Sequence, residues 1–150
     1  MKMQKNTSVG LFEIEEEDGF IIEASWAKRI KKDANAPTTP LLEEAFKQLD
    51  SYLNGTLKTF NLPLKTRGTP FQEKVWAQLK KIPHGKTLSY AQVAAKAGST
   101  KAARAVGGAC NKNPIAIFIP CHRVVGAKGA LTGFASGVGV KEFLLNLEKR

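Results

Sequence analysis

Cysteine, histidine and arginine stand side by side at Cys121-His122-Arg123, directly after Pro120. A thiol with a pKa of about 8.5 is mostly protonated at neutral pH, and a neighbouring base or cation raises the thiolate fraction. Successive side chains on an extended chain point to opposite faces. His122 therefore serves Cys121 only if the backbone turns there or a water bridges them, and Pro120 favours a turn. Glu142, on the last helix, is one of three acids in residues 67–150. It is the candidate third member that orients the imidazole. A small buried cysteine beside an unrelated surface histidine fits the same spacing, so the triplet alone leaves both readings open. The second cysteine, Cys110, has no histidine or acid adjacent and reads as a packing or hinge residue.

The elements that must position these residues follow from local patterns. Val9–Glu15 and Phe20–Ala24 read as a hairpin around the turn-forming Glu16-Glu17-Asp18-Gly19. Thr39-Pro40 starts a helix whose Leu42, Phe46, Leu49 and Leu53 share a face, with Asn54-Gly55 as its stop. Residues 56–67 read as a linker with a short extended stretch. Thr69-Pro70-Phe71-Gln72 carries a capping box and opens a helix striped by Phe71, Val75, Leu79 and Ile82. Ser89–Ala97 and Lys101–Cys110 are two short helices joined through Gly98, with Ser99-Thr100 as the second N-cap and Arg104 on its surface. That is a helix-turn-helix pattern. Ile115–Ile119 reads as a buried strand ending at Pro120, and Arg123–Val125 as a further short strand. A last helix over Lys141–Glu148 turns Val140, Phe143, Leu144 and Leu147 inward. Helix-turn-helix plus small strands is a winged-helix-like architecture.

Charge divides the chain in the same place. Residues 1–66 hold nine Lys/Arg against ten Asp/Glu, and residues 67–150 hold fourteen against three, for an overall net charge of +10. The basic half favours a polyanion, with nucleic acid as the expected partner. The expected organisation is an α/β supporting domain over 1–66 and a winged-helix-like α+β domain over 67–150. Apolar content of 43% and charged content of 24% are those of a folded globular chain. No segment has the roughly 20 apolar residues of a membrane span, and the N-terminus lacks an apolar signal core. A soluble intracellular protein is expected. Two cysteines and two histidines make neither a disulfide framework nor a good zinc set, so no metal or other cofactor is expected.

Pro120-Cys121-His122-Arg123-Val124 closely resembles the active-site motif of the O6-alkylguanine-DNA alkyltransferases. Gly68-Thr69-Pro70-Phe71, Ser89-Tyr90, Lys101 through Ala109, Asn113-Pro114 and Lys141-Glu142-Phe143-Leu144-Leu145 match in order and spacing. The resemblance covers about residues 68–148. Residues 1–66 resemble only in outline the family's ribonuclease H-like N-terminal domain. They contain neither Cys nor His, so the zinc ligands of some members have no counterpart.

The resemblance implies that Cys121 takes an alkyl group from O6 of guanine, with O4 of thymine as a second acceptable lesion. His122 takes the thiol proton through water, Glu142 holds His122, and Asn113 ties the recognition helix to the active-site segment. It further implies a minor-groove helix-turn-helix that flips the nucleotide, as a monomer on double-stranded DNA. Arg104 fills the gap and Tyr90 crowds the 3′ phosphate. Ala102, Ala103 and Gly107 permit close approach, and Gln72, Ser99 and Lys101 contact phosphates. The base pocket comprises backbone groups near Cys121 and Val124, with the loop residues Phe134, Ala135 and Ser136. Phe134 stands where the family carries a Tyr. Loss of one hydroxyl donor predicts transfer slower by on the order of tenfold. The rival readings are a non-catalytic alkylation-lesion sensor and a cysteine hydrolase. Cys121 disfavours the first, and the basic half has no explanation under the second.

Overall fold

The structure, a computed structural model, describes residues 1–31, 38–127 and 138–149. They form two compact units: residues 1–66 with Pro114–Ala116, and residues 67–113 with 117–150. No described helix is long and apolar enough to cross a membrane.

The first unit is a three-stranded antiparallel sheet, β1 (Lys2–Thr7), β2 (Gly10–Glu17) and β3 (Phe20–Trp26), in the order β1-β2-β3. Asp18 and Gly19 have φ of +53° and +84°, the paired positive values of a turn whose twist suits a hairpin. The strand β1 is absent from the sequence reading because KMQKNT shows no apolar alternation. Pairing with β2 and the burial of one amide specify it instead: Gln4 Nε2 donates to Glu13 Oε1 at 2.9 Å, and Lys31 N donates to Gln4 Oε1 at 3.0 Å.

Helix α1 (Pro40–Leu53) begins as expected, with Leu42 N donating to the Thr39 hydroxyl at 3.2 Å. Its Leu42, Ala45, Phe46 and Leu49 are buried with Phe12, Ile14, Ile21 and Ala24 of the sheet. Parallel bridges from Leu64 to Ile21 and from Ile115 to Ala24 cover backbone groups of β3 that would otherwise be left unpaired.

The second unit contains the helices α2 (Pro70–Leu79), α3 (Tyr90–Lys96) and α4 (Ala103–Asn111), and the C-terminal helix α5 (Val138–Glu148). Two short strands, β4 (Leu88–Ser89) and β5 (Val124–Val125), pair in parallel. Capping boxes open α2 at Thr69/Gln72 and α3 at Ser89/Gln92. Helix α4 starts two residues later than its sequence suggests. Its N-cap is Ala102, without a side-chain cap, because Ser99 accepts Ala102 N through its carbonyl in a preceding turn.

The expected strand over Ile115–Ile119 is not formed. Only Ile115 and Ala116 pair with β3, and the chain then turns at Ile117, whose φ is +70°. A β-branched residue there costs on the order of 1–3 kcal/mol and persists only where its surroundings hold it. Ile115, Ile117 and Ile119 are all buried, which explains the apolar run without a continuous strand.

Candidate active site

The turn that Pro120 suggested is present. Cys121–Arg123 form a single 3-10 turn, closed by Arg123 N donating to Pro120 O at 3.0 Å. It leads directly into β5, so the strand pair β4-β5 anchors its exit. At its entry, Ile119 O accepts both Cys121 N and Asn113 Nδ2, each at 2.8 Å. Asn113, just past α4, thereby fixes the backbone on which the thiol is mounted. Cys121 is only 7% exposed, and burial pushes its thiol above the ordinary range. A hydrogen bond from Asn113 and the charge of Lys141 act in the opposite direction. Lys141 is itself buried, which lowers its own pKa, and its Nζ stands 5.8 Å from the centre of the Tyr90 ring. In the sequence Lys141 stands in a matching motif with no role attached; the available signal is a lysine on the inward face of an amphipathic helix.

His122 is completely buried and its Nε2 lies 2.7 Å from Glu148 Oε2. The acid on the imidazole is therefore Glu148, and the assignment of Glu142 is corrected. Glu142 is exposed, whereas Glu148 is 4% exposed. The reason is helical phase. Six residues of α-helix rotate a side chain by about 600°, so positions 142 and 148 lie on different faces. Lys141, Leu144, Leu147 and Glu148 make the buried face, while Phe143, expected inward, is 39% exposed. Glu148 follows Leu144 by four residues, a spacing that places it on the buried stripe from sequence alone.

Arg123 does not serve the thiol as a cation. Its guanidinium forks onto Glu148, with Nε 2.8 Å from Oε1 and Nη2 2.9 Å from Oε2, and Nη1 donates to Ile82 O at 2.7 Å. Gly85, at φ +83°, aims its N–H at Glu148 Oε1 at 3.3 Å. One buried carboxylate thus accepts from a histidine, an arginine and a backbone amide. Burial lowers the pKa of His122. Neutral imidazole with its proton on Nε2 donates to Glu148, which leaves Nδ1 as the nitrogen that takes up a proton.

The remaining residues divide by exposure. Arg104 and Lys101 are exposed at the start of α4, with Ala102, Ala103 and Gly107 half-buried beside them. A Cβ on Gly107 would sit 3.8 Å from the Tyr90 ring, so α4 packs closely over the start of α3. A cavity of about 550 Å³ opens between Thr87, Ser89, Tyr90, Ala103, Val125 and Gly126. Val124 is wholly buried. The carbonyl oxygen of Gln72 caps α2, and Ser99 is half-buried in the turn before α4. Phe134, Ala135 and Ser136 lie outside the described residues. Cys110 is buried at the end of α4, and burial pushes its thiol up to about 12.

Known proteins match this chain throughout its length. Residues 5–66 match the ribonuclease-like domain, and residues 70–150 the DNA-binding domain, of 6-O-methylguanine DNA methyltransferase. The constitutive methylated-DNA–protein-cysteine methyltransferase of Bacillus subtilis is 49% identical over 90% of this chain and 86% of its own. That of Methanosarcina acetivorans is 56% identical over 70% of this chain and 67% of its own. Among solved structures, Mycobacterium tuberculosis OGT in complex with DNA superposes with a TM-score of 0.90 at 38% identity, covering 99% of this chain and 92% of that one. With both of its domains matched and a cysteine, histidine and glutamate assembled in the second, the chain belongs to the methylated-DNA–protein-cysteine methyltransferase family.

Proposed function

We propose that this chain repairs DNA by moving the alkyl group of O6-alkylguanine onto Cys121, once per protein molecule. The observation that carries the reading is the buried His122–Glu148 pair, whose histidine stands on the same 3-10 turn as the thiol. In the transfer, the Cys121 sulfur attacks the alkyl carbon as the bond from that carbon to O6 breaks. The electron pair leaves with the guanine, the thiol proton passes through water to His122 Nδ1, and a proton returns to the base. The products are guanine and a thioether. Water and thiols do not readily cleave a thioether, so the protein is consumed.

The lesion must first leave the stack, at a cost of a few kcal/mol. Arg104 fills the vacated position, and Tyr90 crowds the 3′ phosphate. Ala102, Ala103 and Gly107 let α4 approach the minor groove, and Lys101, Ser99 and the amide of Gln72 hold phosphates. The flipped guanine is read by backbone groups near Cys121 and Val124, with Phe134, Ala135 and Ser136 as the further base-pocket residues that the family resemblance implies. The chain acts inside the cell as a monomer, on guanine O6 with thymine O4 as a second lesion.

Uptake of label from a duplex carrying one radiolabelled O6-methylguanine tests this reading. Incorporation that plateaus at one equivalent supports it. Tight lesion binding with no incorporation would make the chain a lesion sensor, and continuing release of label would make it a hydrolase.

A further inference from the structure

Arg123 touches the carboxylate on which His122 depends with two nitrogens, and all three of its guanidinium nitrogens are committed. That is more fixation than a side chain merely neighbouring the nucleophile needs. We propose that Arg123 is a positioning residue that offsets the charge of Glu148 at His122, and so sets the pH at which His122 becomes a usable base.

The argument is geometric. Glu148 Oε2 is shared: it lies 2.7 Å from His122 Nε2 and accepts from Arg123 Nη2 at 2.9 Å. An uncompensated carboxylate at that distance favours imidazolium, which cannot accept the thiol proton. A guanidinium on the same oxygen opposes that preference. The fork also fixes the carboxylate plane, because its second leg, Nε to Oε1, prevents rotation, and the Ile82 carbonyl holds the far end of the guanidinium. The charged groups acting on His122 are Glu148 and Lys141 from α5 and Arg123 from its own turn. Glu148 alone favours the charged imidazole; Arg123 and Lys141 oppose it, in the same direction as burial. Lysine supplies the charge of Arg123 without its planar fork, so charge and fork are separable by substitution.

The test has two readouts. One is the pH profile of single-turnover methyl uptake, which rests on the alkyl-transfer reading. The other is the NMR titration of His122 in DNA-free protein, which does not. In Arg123→Met, both the acid limb of the rate and the His122 titration are expected to rise by at least one pH unit. On the limb, that is a tenfold loss of rate at fixed pH. In Arg123→Lys, the limb stays where the parent has it while the plateau rate falls severalfold through loss of the fork. In Arg123→Met/Glu148→Gln, both charges are gone and the titration stays near the parent value.

An unmoved titration in Arg123→Met, whatever its stability, overturns the proposal. So does a rise in Arg123→Lys as large as in Arg123→Met. Should Arg123→Met fail to fold, the double variant decides: a titration one unit below the parent would mean that Glu148 acts on His122 uncompensated. A parent that takes up no methyl while its His122 responds as described would overturn the transfer reading and leave this one standing.

Discussion

Glu148 reaches His122 across 26 residues of sequence, with Oε2 of the one 2.7 Å from Nε2 of the other and both side chains buried. Replacing Glu148 by Gln keeps the shape and removes the charge that pairs with Arg123. Breaking a buried pair of this kind costs about 3–5 kcal/mol, and losing the orientation of a general base costs on the order of 10²–10⁴ in rate. Thermal unfolding and single-turnover kinetics should register both losses. Glu142→Gln, on the exposed face of α5, should alter the rate by less than about twofold. Equal effects at the two positions would contradict the assignment.

The contrast between these two glutamates shows how far the sequence carries. Cys121, His122 and the need for a turn at Pro120 are local, and pattern alone finds them. The caps at Thr39, Thr69 and Ser89 are local too, and each forms the hydrogen bond its residue type offers. Choosing between Glu142 and Glu148 requires the rotational phase of α5, and an inward Phe143 set that phase wrongly. Strand β1 escapes detection because its one buried polar residue, Gln4, is specified by partners at Glu13 and Arg29. The apolar run Ile115–Ile119 imitates a strand because burial of a turn leaves the same apolar pattern as a continuous strand.

Acid should weaken the fold through His122. Its native pKa lies below the ordinary value of 6.5 because the ring is buried, so the unfolded chain binds the proton more readily. Stability therefore carries no penalty from this group well above pH 6.5 and falls progressively as pH drops below it. Denaturant midpoints measured between pH 7.5 and 5 should decline, and His122→Gln should flatten that part of the decline. A midpoint insensitive to pH over this range in the parent would contradict a buried neutral imidazole.

Cys110 should be chemically quiet. With its thiol pushed up to about 12, essentially no thiolate is present at pH 8. In a Cys121→Ala background, iodoacetamide should label the native protein far more slowly than the denatured protein. Cys110→Ala should leave methyl uptake within about twofold of the parent. Rapid labelling of Cys110 in the native state would contradict its placement.

Gly68 should not accept a side chain. A Cβ there would fall 2.5 Å from Trp76 Cζ3, and the indole cannot readily withdraw because its Nε1 donates to Ala109 O at 2.9 Å. Gly68→Ala should therefore destabilise by about 1–3 kcal/mol, as overpacking does. Because Trp76 ties α2 to α4, the same variant should also weaken DNA binding. A denaturant midpoint and a DNA titration check the two effects, and an unchanged midpoint would show that the contact is looser than described.

The most direct measurement is the intact mass of the protein after mixing with a duplex containing one O6-methylguanine, followed by peptide mapping, with Cys121→Ala alongside. The account predicts a gain of one methyl group per chain, mapped to Cys121, and no gain in the variant. A methyl group found on Cys110, or an unchanged mass despite stable lesion binding, would contradict it.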